Sequence, residues 1–275
     1  MSPGRVLIIA GSDSGGGAGI QADIKTVTAL GAYAATAITA LTAQNTVGVH
    51  GMHPVPPAFV QQQMQVVLND IGADAIKTGM LGQAEMVEAV ADALRRLAPG
   101  IPLVLDPVMV AKGGARLLDD DALAALRLEL LPLATLITPN IPEAEALLGR
   151  TIANHANALD AARALLELGV PAVLLKGGHL PGATVRDVLA TEDGIVVIDS
   201  PRIDTRHTHG TGCTLASAIA AGLAQGMALE PAVRRGAAYV HAAILAAPGF
   251  GAGHGPLGHG VTIDPARLAG LSPPR

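Results

Sequence analysis

This sequence has no tryptophan, only two phenylalanines, two tyrosines and one cysteine. With so few rings available, the interior must be packed from Leu, Val, Ile and Ala, and half of the chain is hydrophobic. A single cysteine permits no internal disulfide, which fits a reducing compartment. Basic clusters are missing too. A net charge of −5 without a Lys/Arg run argues against general nucleic-acid binding. Long apolar runs are also absent. The opening "MSPGRVLIIAGSD" has one basic residue and an apolar run of only about six, too short for a signal peptide or a membrane span. The expectation is a soluble cytoplasmic protein.

What is present is a regular alternation. At 275 residues the chain suits one α/β unit and can bury enough surface to fold without staples. "RVLIIAG" reads as a strand, and "GIQADIKTVTALG" as a helix ending on glycine. "YAATAITALTA" is rich in β-branched residues. "PPAFVQQQMQVVLNDIG" places Val60, Met64, Val67, Leu68 and Ile71 on one helical face after a proline start. Strands "DAIKTGML", "PLVLDPVM", "ATLITPN" and "AVLLKGGH" then alternate with helices "QAEMVEAVADALRRLA", "DDDALAALRLELLP", "PEAEALLG" and "ALDAARALLELG". "VRDVLAT" and "GIVVIDS", split by "EDG", form a hairpin. Residues 210–247 read as mostly helical, and the glycine-rich "GFGAGHGPLGHG" as a loop. Apolar strands between amphipathic helices predict a mainly parallel central sheet with helices on both faces. With no linker-like shift in composition, residues 1–275 read as one domain.

Ligands of such sheets bind beyond the carboxyl ends of the strands, and four polar signatures fall there. "GSDSGGGAGIQAD" follows the first strand, its glycines allowing backbone N–H groups close to a ligand. Within it, "GAGIQA" from Gly17 also fits a dinucleotide fingerprint. That reading needs an acid at the end of strand two, where the chain has Gln44 and Asn45 instead. Asp106 ends the apolar run "LVLDP", where an acid serves either as a cap or as a ligand. In "TPNIPEAE", Asn140 and Glu143 follow another strand, and Glu143 alone would also suit a helix N-terminus. Together Asp106 and Glu143 offer oxygens suited to Mg²⁺, largely through water.

The fourth signature, "HGTGCT", opens the helix "CTLASAIAAG" and contains Cys213, the lone cysteine. A small thiol packs well beside alanines. The N–H groups of a glycine-containing turn at a helix start also form an anion site. That position lowers a cysteine pKa from its free value of about 8.5, so the thiol could take a proton from a substrate hydroxyl. His207, His209 and Cys213 match no common zinc spacing. Most other histidines read as surface or loop residues.

Taken together, "GSDSGGGAGIQADIKT", "ALTAQNT", "KTGML", "LDPVMVAKGG", "TPNIPEA", "LLKGGH", "THGTGCT" and "GHGPLGH" resemble the hydroxymethylpyrimidine/phosphomethylpyrimidine kinases of thiamine biosynthesis. These belong to the ribokinase-like superfamily. The match spans nearly the whole chain in order and register. One departure is in the first loop, where Ser14 and Gly15 replace the family's frequent Pro-Ser.

The resemblance implies ATP-dependent phosphorylation of an aminopyrimidine alcohol, then of its phosphate, with ATP and Mg²⁺ and in a homodimer. It implies that Gln44 bonds the aminopyrimidine ring, with Gly11, Asp23 and Met80 in the same pocket. Asp106 and Glu143 would organise Mg²⁺, while Asn140, Lys176 and Thr208 would lie near the nucleotide. Gly210, Gly212 and Cys213 would form the anion hole, with Cys213 where the superfamily's sugar kinases carry an aspartate base. Lys112 in "VMVAKGGARLL" would belong to a flap over the phosphates. Pyridoxal kinase, in the same branch, is the nearest alternative. A non-catalytic nucleotide- or vitamin-binding protein is another, although a pure binder needs no phosphoryl-transfer apparatus.

Overall fold

The computed structural model describes residues 3–109 and 119–264. Val6 through Ala10 are each at most 1% exposed, so strand β1 (Arg5–Asp13) is covered on both faces. It pairs in parallel with β2 (Tyr33–Gln44) on one side and β4 (Ala75–Thr78) on the other. The remaining strands are β3 (Val49–Pro54), β5 (Leu103–Leu105), β6 (Leu136–Ile137), β7 (Ala172–Leu175), β8 (Thr184–Thr191) and β9 (Gly194–Pro201). They form one sheet in the order β3-β2-β1-β4-β5-β6-β7-β8-β9. The centre, from β2 to β7, is parallel, whereas β3 and β8 run against it and β9 pairs antiparallel with β8.

The helices are α1 (Gly19–Ala29), α2 (Pro57–Asp70), α3 (Ala84–Leu97), α4 (Asp120–Ala125), α5 (Ile141–Leu148), α6 (His155–Leu166), α7 (Thr211–Ala224) and α8 (Leu229–Leu245). The two-residue period of a strand sorts the core. Leu7 and Ile9 point into one cluster with Val87 and Val90 of α3, while Val6 and Ile8 point into another with Leu215 and Ile219 of α7 and Val233 of α8. The expected α/β fold with both faces covered is therefore present. Helix α7 buries Ala216, Ala218, Ala220 and Ala221 completely; its small side chains let α1, α8 and the sheet approach it from several sides.

Two local expectations differ. β3 was not foreseen, because five of its six residues are exposed and no apolar alternation marks it; it is held by pairing to the edge of β2. The helix expected over "DDDALAALRLELLP" is α-helical only to Ala125, then continues as a π turn (Leu126–Leu130) and a short 3₁₀ turn (Leu131–Leu133). Leu126, Leu130 and Leu131 are all buried. Adjacent residues cannot share the narrow stripe of a regular α-helix, so the change of pitch brings all three inward.

Candidate active site

A cavity of about 790 Å³ lies at the carboxyl ends of the parallel strands, where an open α/β sheet binds its ligands. Its wall takes Gly11 and Asp13 from β1, Gln44 from β2, Met80 after β4, Asp106 after β5, Asn140 and Glu143 after β6, Lys176 after β7, and Thr208 to Cys213. The structure thus brings together most of the residues expected from sequence, drawn from positions up to the far third of the chain.

At one end the glycine-rich loop is organised by Asp13. Its carboxylate accepts N–H bonds from Gly15 (2.8 Å), Gly17 (3.0 Å) and Ala18 (2.8 Å) and lies 3.0 Å from His209 Nε2. Burial alone would raise its pKa, but the bonds from His209, Ala18 and Gly15 outweigh it and hold the carboxyl below its usual range. Ser14, at the position of the family departure, donates its hydroxyl to the Gln44 carbonyl and accepts the Gln44 N–H, both at 2.9 Å. The Gln44 amide reaches His209 Nε2 and Thr42 Oγ1, each 3.2 Å away.

At the other end three charges meet. Lys176 Nζ lies 2.9 Å from Asp106 Oδ1 and 4.0 Å from Glu143 Oε2, and Thr138 donates to the same Asp106 oxygen at 3.0 Å. Burial would raise the Asp106 pKa, but Lys176 and Lys77 outweigh it and lower it. Glu143 is less fortunate: burial, with repulsion from Asp106, outweighs Lys176 and lifts its pKa to about 7. Glu143 also caps α5, accepting the Asn140 N–H at 2.8 Å while the Asn140 side-chain oxygen accepts the Glu143 N–H at 3.0 Å. Asn140 lines the cavity, but its oxygen is already engaged by the helix.

Between the ends, α7 begins. Gly210 has φ +86, and a Cβ there would collide with the Gly17 carbonyl, so only glycine fits. No side chain caps the helix, and although the Thr211 N–H turns back to the Thr208 carbonyl, the N–H groups of Gly212 and Cys213 are left to an anion. A Cβ on Gly212 would lie 3.2 Å from Lys176 Nζ and 3.5 Å from Asp106 Oδ2. The helix start therefore abuts the charged trio directly.

Two expectations are corrected here. Cys213 lines the cavity, but its pKa is not lowered: burial pushes the thiol up to about 11, against smaller opposing effects of Lys77 and of the Gly19 N–H. Asp23 does not face the cavity. It is fully buried on the inner side of α1, 2.9 Å from Lys77 Nζ, and accepts the Ser217 hydroxyl at 2.7 Å. The reason is the helix period, which turns Asp23 with Ala22, Thr26 and Val27 toward the sheet. Met80, Gly11 and Thr208 do line the cavity. Lys112 lies outside the described residues.

Sequence reasoning missed Asp13, His209 and Lys77. An acid two positions before a glycine run signals a side chain that gathers backbone N–H groups. A lysine inside the apolar strand "DAIKTGML" demands a buried partner. His209 carries no comparable local signal.

As a metal site, Asp106 and Glu143 supply hard oxygen donors beside the helix start. Among the described residues, no group of three or more His, Cys, Asp or Glu is placed to hold an ion alone. Two carboxylates completed by water and substrate phosphates are the usual setting for Mg²⁺, so the donors fit that ion.

The phosphomethylpyrimidine kinase family model matches residues 13–258. The chain is 52% identical over 256 residues to a hydroxymethylpyrimidine/phosphomethylpyrimidine kinase of Rhizobium meliloti, covering 92% of this chain and 96% of the relative. It is 53% identical over 264 residues to the thiamine biosynthesis bifunctional protein ThiED of Geobacter sulfurreducens. That match takes in 96% of this chain but only 54% of the relative, so the chain spans about half of that protein. Among solved structures, phosphomethylpyrimidine kinase of Clostridium difficile superposes with TM-score 0.76 at 41% identity, covering 86% of this chain and 97% of that one. Bacillus subtilis pyridoxal kinase with ADP superposes with TM-score 0.87 at 35% identity, covering 97% and 100%. With the family model matched over residues 13–258 and a relative 52% identical across 92% of this chain, the chain belongs to the phosphomethylpyrimidine kinase family.

Proposed function

We propose that this kinase transfers the γ-phosphoryl group of ATP to the hydroxymethyl group of 4-amino-5-hydroxymethyl-2-methylpyrimidine, and then phosphorylates the product to the diphosphate, in thiamine biosynthesis. The observation that carries the reading is the meeting, in one cavity, of the uncapped start of α7 with the Asp106–Lys176–Glu143 trio, opposite Gln44. Phosphoryl transfer asks mainly for positioning and for charge neutralisation around the migrating group. The N–H groups at Gly212 and Cys213, with the Lys176 ammonium, supply that positive field. Asp106 and Glu143 would hold Mg²⁺, which would neutralise triphosphate charge. Gln44, with one donor group and one acceptor, suits a ring nitrogen beside an amino group.

Cys213 accepts the hydroxyl proton as thiolate in the first step. With the thiol at about 11, that form is scarce at neutral pH, so kcat/KM for the alcohol should climb with pH through the neutral range. In the second step the acceptor is already an anionic phosphate and needs a base less. Cytoplasmic location and a homodimer complete the proposal; among the described residues no helix is long and apolar enough to cross a membrane.

The test is an ATP-dependent assay with the aminopyrimidine alcohol, following mono- and diphosphate by mass, alongside pyridoxal. Sequential appearance of both products supports the reading. Turnover of pyridoxal with none of the pyrimidine replaces it with pyridoxal kinase.

A further inference from the structure

Asp13, His209 and Gln44 form a chain at the end of the cavity away from the phosphoryl-transfer charges. His209 Nε2 lies 3.0 Å from Asp13 Oδ2 and 3.2 Å from Gln44 Nε2. Asp13, a carboxylate that already accepts three backbone N–H bonds, can only accept, so His209 Nε2 carries the hydrogen. A nitrogen that donates has no lone pair left for the Gln44 NH₂ group. The opposite side has the mirror problem. Thr42 Oγ1 owns one hydrogen and gives it to the Ser12 carbonyl at 2.8 Å, so its oxygen then faces Gln44 Oε1 at 3.2 Å. Both conflicts ease together when the Gln44 amide turns half a turn about its last bond. Its oxygen then shares the one Nε2–H of His209 with Asp13 as a second, longer acceptor, and its NH₂ donates to Thr42.

We propose that Asp13 and His209 are positioning residues that lock the Gln44 amide in this sense and thereby set the choice of heterocycle. After its bonds to His209 and Thr42 the amide retains one N–H and one oxygen lone pair, in a fixed order along the cavity wall. An aminopyrimidine alcohol offers a ring-nitrogen acceptor followed by an amino donor. Pyridoxal offers the reverse along the corresponding edge, a hydroxyl donor followed by a carbonyl acceptor. A locked amide satisfies one order, whereas an amide free to turn satisfies either. His209 thus acts through Gln44 and not on the transferred phosphate. The proposal rests on the reading that the substrate ring binds at Gln44.

The experiment compares KM and kcat for the aminopyrimidine alcohol and for pyridoxal in wild type, His209→Leu and His209→Gln. Loss of the donor in His209→Leu should raise KM for the aminopyrimidine about tenfold, with kcat changed less, and narrow its advantage over pyridoxal by a similar factor. His209→Gln, whose side-chain N–H can stand where Nε2–H stood, should recover most of that ratio. Equal losses for both alcohols, or a Gln variant no better than Leu, overturn the proposal, since a merely structural histidine predicts that result. If wild type turns over no aminopyrimidine alcohol, the functional reading fails and takes this inference with it. Equal losses in a wild-type background that does turn it over sink this inference alone. Should His209→Leu fail to fold, ¹⁵N spectra of wild-type imidazoles at neutral pH still decide: a proton on His209 Nε2 supports the lock, and a bare Nε2 overturns it.

Discussion

Asp23–Lys77 and Asp106–Lys176 are both ion pairs of 2.9 Å, yet they do opposite things. The first is sealed, with both side chains at 0% exposure, and Ser217 occupies a further oxygen. Its charges cancel, and it ties α1 to β4 and α7. The second pair opens onto the cavity, where Lys176 keeps 14% exposure and a second carboxylate, Glu143, lies 4.0 Å away. Two acids share one ammonium, and one of them is driven toward neutrality. Distance alone does not separate structural from functional ion pairs. Surplus charge and access to a cavity do.

The widest break in this comparison comes from Lys77→Met, which leaves Asp23 with the Ser217 hydroxyl but no opposite charge. It should cost about 3–5 kcal/mol in urea unfolding, with much of the loss recovered in Asp23→Leu/Lys77→Met. A loss near zero would mean that the sealed pair holds nothing. The matching change at the open pair, Lys176→Met, should instead lower kcat by about 10²–10³-fold while unfolding free energy moves much less than for Lys77→Met. If stability falls equally in the two variants, the contrast fails.

Cys213 responds to both pairs, since Lys77, Asp23 and Asp106 all act on its thiol. Cys213→Ala should slow the first phosphorylation by about a hundredfold and the second by clearly less; equal losses in single-turnover rates would remove it as the base. The finest test is Glu143→Gln. The folded pKa of Glu143, about 7, lies above its ordinary 4.5. Its neutral form therefore favours the folded state below the ordinary value, and that stability is lost as pH rises through 7. The Tm of Glu143→Gln should gain on wild type between about pH 5 and pH 8 in the ligand-free enzyme. A gap that ignores pH would show that the trio is not strained.

Sequence carried much of this architecture because each parallel strand is a short apolar run and each helix has a clean periodic face. It failed at β3, whose exposed residues bear no pattern because its neighbour β2 supplies the order. It failed again after Ala125, where tertiary packing changed the helical pitch. In the site, Asp106 and Glu143 were visible as acids at or just beyond the ends of apolar strands, whereas Lys176 and the role of Gln44 came from the family resemblance. Asp23 was misplaced because a motif names a residue without saying which way the helix turns it. The Cys213 pKa was misjudged because a helix start was weighed without the burial that surrounds it.

The order of residues alone determined the strand–helix alternation, the aliphatic core and the glycine turns, because these depend on periods and conformational freedom within a few positions. Only the tertiary structure decided which charges are sealed and which face the cavity, that Asp13 and His209 close on Gln44, and that burial outweighs the helix field at the thiol. Those outcomes depend on dielectric and on groups far apart in the chain, and neither is written in any local pattern.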